Sequence, residues 1–412
     1  MYKKVFKEIV DVMRNDYAGC IDKKGWDHPE RYTNQINEQT NRKDFVQLVK
    51  DYLLDYHDKH LFFLDKAKSS NKAVTSLGFS VRRYQDRLYV TRVDGVCELK
   101  VGMYFSTLGE QTILEARELY ERQLSENHPE RENWESVLAN YTYGKIINKE
   151  GDTFVYQLKK MMIETTYQSI YSITELDNAI ALITLTDFMQ PDKIIEIVKE
   201  NQTILNRSSK WIFDVRVNNG GSTAGFEPFL KPIMPIEGVT VNPIENEMTI
   251  NYTEASARRQ LPLLEKGLQE AEDERVKSFI QRFKQSWELN RGKGFVLFDS
   301  GSSNSFSGSQ HPQSIVVLTD VYCGSSGDAF VEYCKLSSKV TVIGRATMGL
   351  NDYANLTVAA WDHLELWYPT SRLARIDRGK GMTKKGIEPD IYIPWTPAHL
   401  DYDVDMNKAL GY

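Results

Sequence analysis

The sequence predicts a mixed α/β and α+β multidomain protein, and three features carry that expectation. Apolar residues recur at helical spacing through the first part of the chain, short alternating runs bounded by turn residues begin at Gly78, and from Ala179 buried-strand runs alternate with amphipathic helices. The chain has 412 residues, 41% of them hydrophobic, which is enough for two or three domains whose cores need no covalent staples.

Between Tyr2 and Tyr17, Val5, Ile9, Val12 and Met13 share one helical face, and Phe45, Leu48, Leu53 and Leu54 repeat the pattern. Residues 1–72 therefore read as a helical cap. The polar stretch DKKGWDHPERYTNQ (Asp22–Gln35), with Gly25 and Pro29, reads as a loop between the two helices. Residues 73–165 change character. GFSVRRY and RLYVTRV flank Gln85-Asp86 as a hairpin would, Leu99–Gly102 and Ser106–Gly109 follow, then a helix over Thr112–Leu124 and a strand over Asp152–Leu158. That order suits a small peptide-binding module of PDZ type, in which a ligand strand adds to a sheet edge; an ordinary α+β subdomain without a ligand fits the spacing equally.

Residues 166–412 form the third part. AIALITL (Ala179–Leu185), an amphipathic helix over Lys193–Leu205 and KWIFDV (Lys210–Val215) make a βαβ unit. Ser314–Leu318, a helix over Asp328–Leu336 and Val340–Ile343 repeat it, so this part is an α/β layer with a partly parallel sheet. From about 245 to 295 lies a helical insertion, with Leu261, Leu264, Leu268, Phe279 and Phe283 at helical spacing over Tyr252–Asn290. SGSSNSFSGS (Ser300–Ser309) reads as a mobile low-complexity loop.

A net charge of -6 leaves no basic footprint, so neither nucleic acid nor an anionic membrane is indicated as a partner. Small molecules or peptides remain. MYKKVFKEIV at the start lacks the apolar core of a signal peptide, and no run of eighteen apolar residues occurs, so the expectation is a cytoplasmic protein, or the mature part of a secreted one. Cys20, Cys97, Cys323 and Cys334 are scattered, with no C-x-x-C and no His at ligand spacing, which argues against a metal site and against a disulfide framework.

Three segments could carry chemistry. The strand before Tyr322-Cys-Gly-Ser-Ser-Gly-Asp328 leads through a tight turn into an apolar helix, so Ser325 or Ser326 stands where unpaired backbone N–H groups could hold an oxyanion. Either serine could equally be a plain helix cap. WIFDVRVNNGGS (Trp211–Ser222) is a second strand entering a turn, where Gly220 and Gly221 allow close backbone approach. His60, in Tyr56-His-Asp-Lys-His60, is the histidine best placed to face a cleft between layers.

Taken together, these segments resemble the carboxyl-terminal processing (tail-specific) peptidases and the tricorn core protease, a family of serine peptidases. Asp58-Lys-His60 is similar to their D-x-H motif, Asp214-Val-Arg216-Val-Asn218-Asn-Gly220-Gly221 to D-L-R-x-N-x-G-G, and Gly324-Ser325-Ser326-Gly327-Asp328 to the nucleophile turn. Val342-Ile-Gly344-Arg-Ala-Thr347-Met-Gly349 and Lys385-Gly386-Ile-Glu-Pro389-Asp390 resemble I-G-x-x-T-x-G and G-V-x-P-D. The resemblance implies a PDZ-like module and a catalytic core of the ClpP/crotonase-like type. It implies Ser325 as nucleophile, an oxyanion hole from Gly220, Gly221 and Ser326, and a polypeptide or peptide substrate. The lysine-type members carry their base just after T-x-G, where this chain has Leu350, so the resemblance points instead to the tricorn branch and His60 as base. The tricorn glutamate position holds Thr383 or a neighbour, and Asp352 is the candidate to orient His60. No metal or organic cofactor is expected, and a homo-oligomer stays open. The competing readings are a peptide-binding protein that keeps the fold without catalysis, and a non-peptidic acyl hydrolase using the same serine.

Overall fold

Trp211, Ile212 and Phe213 are buried in succession, which places the strand Lys210–Asp214 at the centre of a sheet covered on both faces. In the computed structural model, which describes all residues except 69–72, 95–96, 125, 127, 165–166, 177–178, 241–246 and 300–304, this strand belongs to a six-stranded sheet. Its order is Tyr171–Leu176, Ile180–Leu185, Lys210–Asp214, Ser314–Thr319, Val340–Gly344, Ile391–Tyr392. The first pair is antiparallel and the others are parallel. The crossovers are the helices Pro191–Glu200 and Gln202–Arg207 on one side of Lys210–Asp214, and Ser326–Cys334 after Ser314–Thr319. Ile183, Phe213, Val317, Phe226, Phe229 and Phe330 fill the core against these helices.

A second sheet is wholly antiparallel. Its long hairpin, Tyr353–Trp361 and Leu364–Leu373, turns at Asp362-His363; Leu364–Leu373 also pairs with Phe62–Asp65 and with Met248–Tyr252, which pairs in turn with Gly294–Leu297. The N-terminal helices Tyr2–Asn15 and Arg42–Leu53 pack on this sheet, burying Phe6, Ile9, Met13, Phe45 and Tyr52 with Phe63, Leu366 and Tyr368. Each such aromatic contributes about 1.5–3 kcal/mol when fully buried. That burial, with the pairing of Phe62–Asp65, fixes the segment 57–61 that carries His60.

These elements form one compact unit, Met1–Lys66 with Ser169–Tyr392; Ala67–Gln168 with Ile393–Tyr412 form another. In the second unit Phe79–Tyr84, Arg87–Val93, Tyr104–Leu108, Tyr143–Ile147 and Thr153–Gln157 make an antiparallel sheet in that order. The helix Ile113–Leu119 follows, capped by Thr112, whose hydroxyl accepts from the Glu115 N–H. Phe79, Leu88, Phe105, Ile113 and Trp134 are its core.

Several local expectations are corrected. The polar stretch Asp22–Gln35 contains a short helix, Pro29–Thr33, begun by proline at a position where its missing N–H costs nothing. The helix expected over Thr112–Leu124 breaks at Tyr120 into Ile113–Leu119 and Glu121–Leu124. The insertion is helical over Glu254–Glu270 and Glu274–Asn290, but its flanks are strands of the second sheet. Of the expected loop 300–309, residues 300–304 lie outside the described residues, while Ser305-Phe306 pair with Val239-Thr240. The hairpin 353–373 was not anticipated, although its alternating NLTVAAW and LELWYPT runs around Asp-His carry a strand signal. Among the described residues no helix is long and apolar enough to cross a membrane, and no cluster of three or more His, Cys, Asp or Glu is arranged to hold a metal.

Candidate functional site

Strands Lys210–Asp214 and Ser314–Thr319 are parallel neighbours with Asp214 opposite Leu318, so the turns that follow them emerge side by side. At the carboxyl ends of parallel strands this is where α/β folds place ligands. In the first turn Arg216 closes on Asp214 through hydrogen bonds of 2.9 and 2.7 Å. Asn218, fully buried, pins both turns: its side chain donates to the Leu185 carbonyl (2.9 Å) and accepts the Gly220 N–H (2.9 Å), and its own carbonyl accepts the Gly324 N–H (2.9 Å). The Ser326 hydroxyl donates to the Gly221 carbonyl at 2.6 Å. Gly220, at φ +80°, lies so close that an added Cβ would stand 2.6 Å from Ser325 Cβ and 3.0 Å from its Oγ. Ser325 and the glycine turn therefore share one small space.

Ser325 itself has φ +59° and ψ -120°, a conformation rarely adopted by a residue with a Cβ. The helix Ser326–Cys334 starts immediately after it, so the N–H of its first residue lies at the end that carries partial positive charge, while the Gly327 N–H is already held by the Gly324 carbonyl (2.9 Å). Among the described residues the Ser326 and Gly221 N–H groups have no acceptor. Gly221 bridges Phe188 in parallel fashion, which uses the flanking Gly220 carbonyl and Ser222 N–H and turns its own N–H away. Gly220 differs, because its N–H is already taken by Asn218.

The strained turn is held by Asp328. Its carboxylate accepts the Ser325 N–H (2.8 Å), the Gly349 N–H (2.9 Å) and the Leu350 N–H (2.7 Å), with the Thr347 hydroxyl as a fourth donor. Complete burial pushes this carboxyl up from its ordinary range, and the four donors oppose that push. Burial also pushes the neighbouring Cys323 thiol well above its ordinary value, so it stays neutral beside the serine. Leu350 packs beside the turn: its Cδ1 lies 3.2 Å from where a Cβ on Gly324 would be.

The segment that Asp328 grips by Gly349 and Leu350 ends at Tyr353, and there it meets His60. Nδ1 of His60, buried, is 2.6 Å from the Tyr353 carbonyl oxygen. At its backbone, the His60 N–H donates to Asp58 Oδ1 at 2.9 Å, and Asp58 Oδ2 accepts the Tyr17 hydroxyl at 2.7 Å. One loop, 349–353, thus grips the Ser325 turn at one end and the His60 ring at the other. No hydrogen bond joins His60 to Ser325 in this structure.

Asp352 does not take the position expected of it. It makes no hydrogen bond to His60; Oδ1 accepts from Arg375 Nε (3.0 Å) and Oδ2 from the Thr383 N–H and hydroxyl (2.8 and 2.7 Å). The group on His60 Nδ1 is the carbonyl of the next residue, while the Asp352 carboxylate is taken up by Thr383 and by buried Arg375, which pairs with Glu332 as well. Sequence reasoning missed the Tyr353 carbonyl because a backbone acceptor has no residue-type signature. It also missed the pinning by Asn218 and Asp328, although both stand inside the quoted motifs.

A sequence profile of peptidase family S41 matches residues 179–393, just over half of the chain. No curated protein sequence matches it. Among solved structures, mature CPAF complexed with lactacystin is similar with a TM-score of 0.67 at 12% identity, covering 100% of this chain and 97% of that one. A second structure of mature CPAF is similar with a TM-score of 0.66 at 12% identity, over 99% of this chain and 95% of that one. At such identity these likenesses concern the fold.

Proposed function

Because the chain belongs to peptidase family S41 and is a serine peptidase, we propose that it hydrolyses internal peptide bonds of polypeptides with Ser325 as nucleophile and His60 as general base. The observation that carries this reading is the 2.6 Å contact between His60 Nδ1 and the Tyr353 carbonyl. A carbonyl only accepts, so Nδ1 bears the hydrogen and Nε2 keeps the lone pair that a base requires. Absence of a direct Ser325–His60 bond is compatible with that role, since catalytic hydrogen bonds commonly tighten only around substrate.

The chemistry then runs through groups of one compact unit. His60 Nε2 takes the Ser325 proton as Oγ attacks the scissile carbonyl, and the resulting oxyanion accepts from the Gly221 and Ser326 N–H groups. Gly220 is the less suitable donor, because Asn218 already holds its N–H; its part is to leave room for Ser325. The imidazolium returns its proton to the leaving amine, and water, deprotonated by His60, then cleaves the acyl-enzyme to free Ser325. The positive φ of Ser325 supports the reading, since strain of this kind persists only where surrounding contacts over-determine it. A non-catalytic peptide binder is not favoured by membership of a peptidase family. Residues 73–165 are read as a PDZ-like module and residues 166–412 as a ClpP/crotonase-like core, with Ile393–Tyr412 grouping instead with the former; the antiparallel sheet with its helix Ile113–Leu119, and the parallel layer with crossover helices, support those readings.

Labelling with a fluorophosphonate and mapping of the adduct by mass spectrometry tests the nucleophile. The adduct is expected on Ser325, with His60→Ala reducing labelling nearly to that of Ser325→Ala, because members of such a unit fail together. An adduct on Ser326, or full labelling of His60→Ala, would overturn the assignment.

A further inference from the structure

Lys23 is 4% exposed, a burial that ammonium groups rarely tolerate without a reason. Its Nζ makes a 2.9 Å hydrogen bond to the Tyr17 hydroxyl and otherwise faces aromatic rings: Tyr353 at 4.0 Å from the centroid, Tyr17 at 5.5 Å and Trp26 at 5.9 Å. The Tyr17 hydroxyl, accepting from Lys23, donates onward to Asp58 Oδ2, and Asp58 Oδ1 receives the His60 N–H. On the other side, the Tyr353 residue whose ring lies under the ammonium supplies the carbonyl that holds His60 Nδ1. The phenol of Tyr353 is tied in turn to Asp22, which pairs with Arg372. Both anchors of His60, one at its backbone and one at its ring, therefore converge on a single buried cation.

We propose that Lys23 is a positioning residue for the catalytic histidine, holding His60 in the orientation and tautomer of a general base through Tyr17–Asp58 on one side and the Tyr353 ring on the other. The proposal rests on the reading of His60 as base. The charge sequence fits it: a cation beside Tyr17 favours a phenol that donates to Asp58, and the ionised Asp58 then accepts the His60 N–H. Burial lowers the Lys23 ammonium from its ordinary range, while Asp58, Asp22 and Asp352 favour its charged form. A purely space-filling role would be met by methionine, which matches the length of the side chain and carries no charge.

The test uses the full chain, with a fluorophosphonate as probe, reading the saturating labelling rate and the half-saturating probe concentration separately, alongside thermal melting. The histidine ring region of the ¹H–¹⁵N spectrum is recorded as well. Lys23→Met is expected to lower the saturating rate about 30- to 100-fold, since a displacement of the order of 1 Å at a reacting group has that effect, with half-saturation unchanged within about twofold. The protonated Nδ1 resonance of His60 should broaden or vanish. Tyr17→Phe removes one oxygen and keeps the lysine and the packing; it should lower the rate about tenfold and serves if Lys23→Met does not fold. Wild-type rates in either folded variant, with His60→Ala inactive, overturn the positioning role and leave the base reading standing. Full labelling in His60→Ala overturns the base reading, and the positioning role with it.

Discussion

Gly220→Ala isolates the closest contact between the two turns. The added methyl would lie 2.6 Å from Ser325 Cβ, 2.9 Å from the Gly324 carbonyl oxygen and 3.0 Å from Ser325 Oγ, where ordinary contact begins at 3.4 Å. Ser325 must therefore retreat by about 0.8 Å or the glycine turn must open by as much, and the turn is held by Asn218 and by the Ser326–Gly221 bond. Misplacement on that scale costs about 10²-fold in rate. The substitution also puts a Cβ on a residue at φ +80°, which costs about 1–3 kcal/mol by itself. Gly294→Ala is the matched control: φ is +69° and no atom lies within 4 Å of the added methyl, so it carries the backbone strain without the collision. Denaturant unfolding should show a loss in both variants, larger in Gly220→Ala. Fluorophosphonate labelling should fall about a hundredfold in Gly220→Ala alone. A folded Gly220→Ala chain that labels within about threefold of wild type would refute the claim that this glycine exists to admit Ser325.

Ser325→Ala should abolish labelling, whereas Ser326→Ala keeps its backbone N–H and loses only the 2.6 Å bond to Gly221, for about 1 kcal/mol of stability and less than a tenfold loss of labelling rate; equal inactivity would contradict the division of roles. Asp352→Asn removes one of the two carboxylates paired with buried Arg375, the other being Glu332, and weakens the bonds from Thr383, so unfolding experiments should show a loss of about 1.5 kcal/mol while labelling of the folded fraction stays within about tenfold; unchanged stability with labelling lost would restore Asp352 as a partner of His60. Burial holds the phenols of Tyr17, Tyr52 and Tyr353 protonated well above the ordinary tyrosine value of 10.0, so the folded chain keeps protons that the unfolded chain releases there. The stability they contribute is complete below that pH and lost above it, by about 1.4 kcal/mol per phenol per pH unit. Tyr52→Phe should make that alkaline decline shallower, as measured by denaturation between pH 9 and 11.5, and an unchanged slope would remove Tyr52 from the account.

Residue order was enough for the parts whose cause is local. Strand, turn and helix around Gly324-Ser325 follow from an apolar run, a glycine pair and an apolar helix, and Gly220-Gly221 at the end of WIFDV follow from turn chemistry. Family motifs added order and chemistry to these pieces. The parallel layer was legible for the same reason, since strands buried on both faces read as continuous apolar runs. The antiparallel hairpin 353–373 was less visible, because its inner and outer faces are both largely covered and its turn, Asp362-His363, lacks the glycine that usually marks one. The partners of the site residues are set by packing. His60 and Tyr353 are 293 residues apart, and which acceptor meets Nδ1 depends on how the helical cap seats against the hairpin. Asp352 and Tyr353 are adjacent in sequence yet meet different partners, Arg375 and Thr383 through a side chain and His60 through a backbone carbonyl, so a one-residue choice that spacing cannot make is made by which groups the packed chain brings within hydrogen-bond reach.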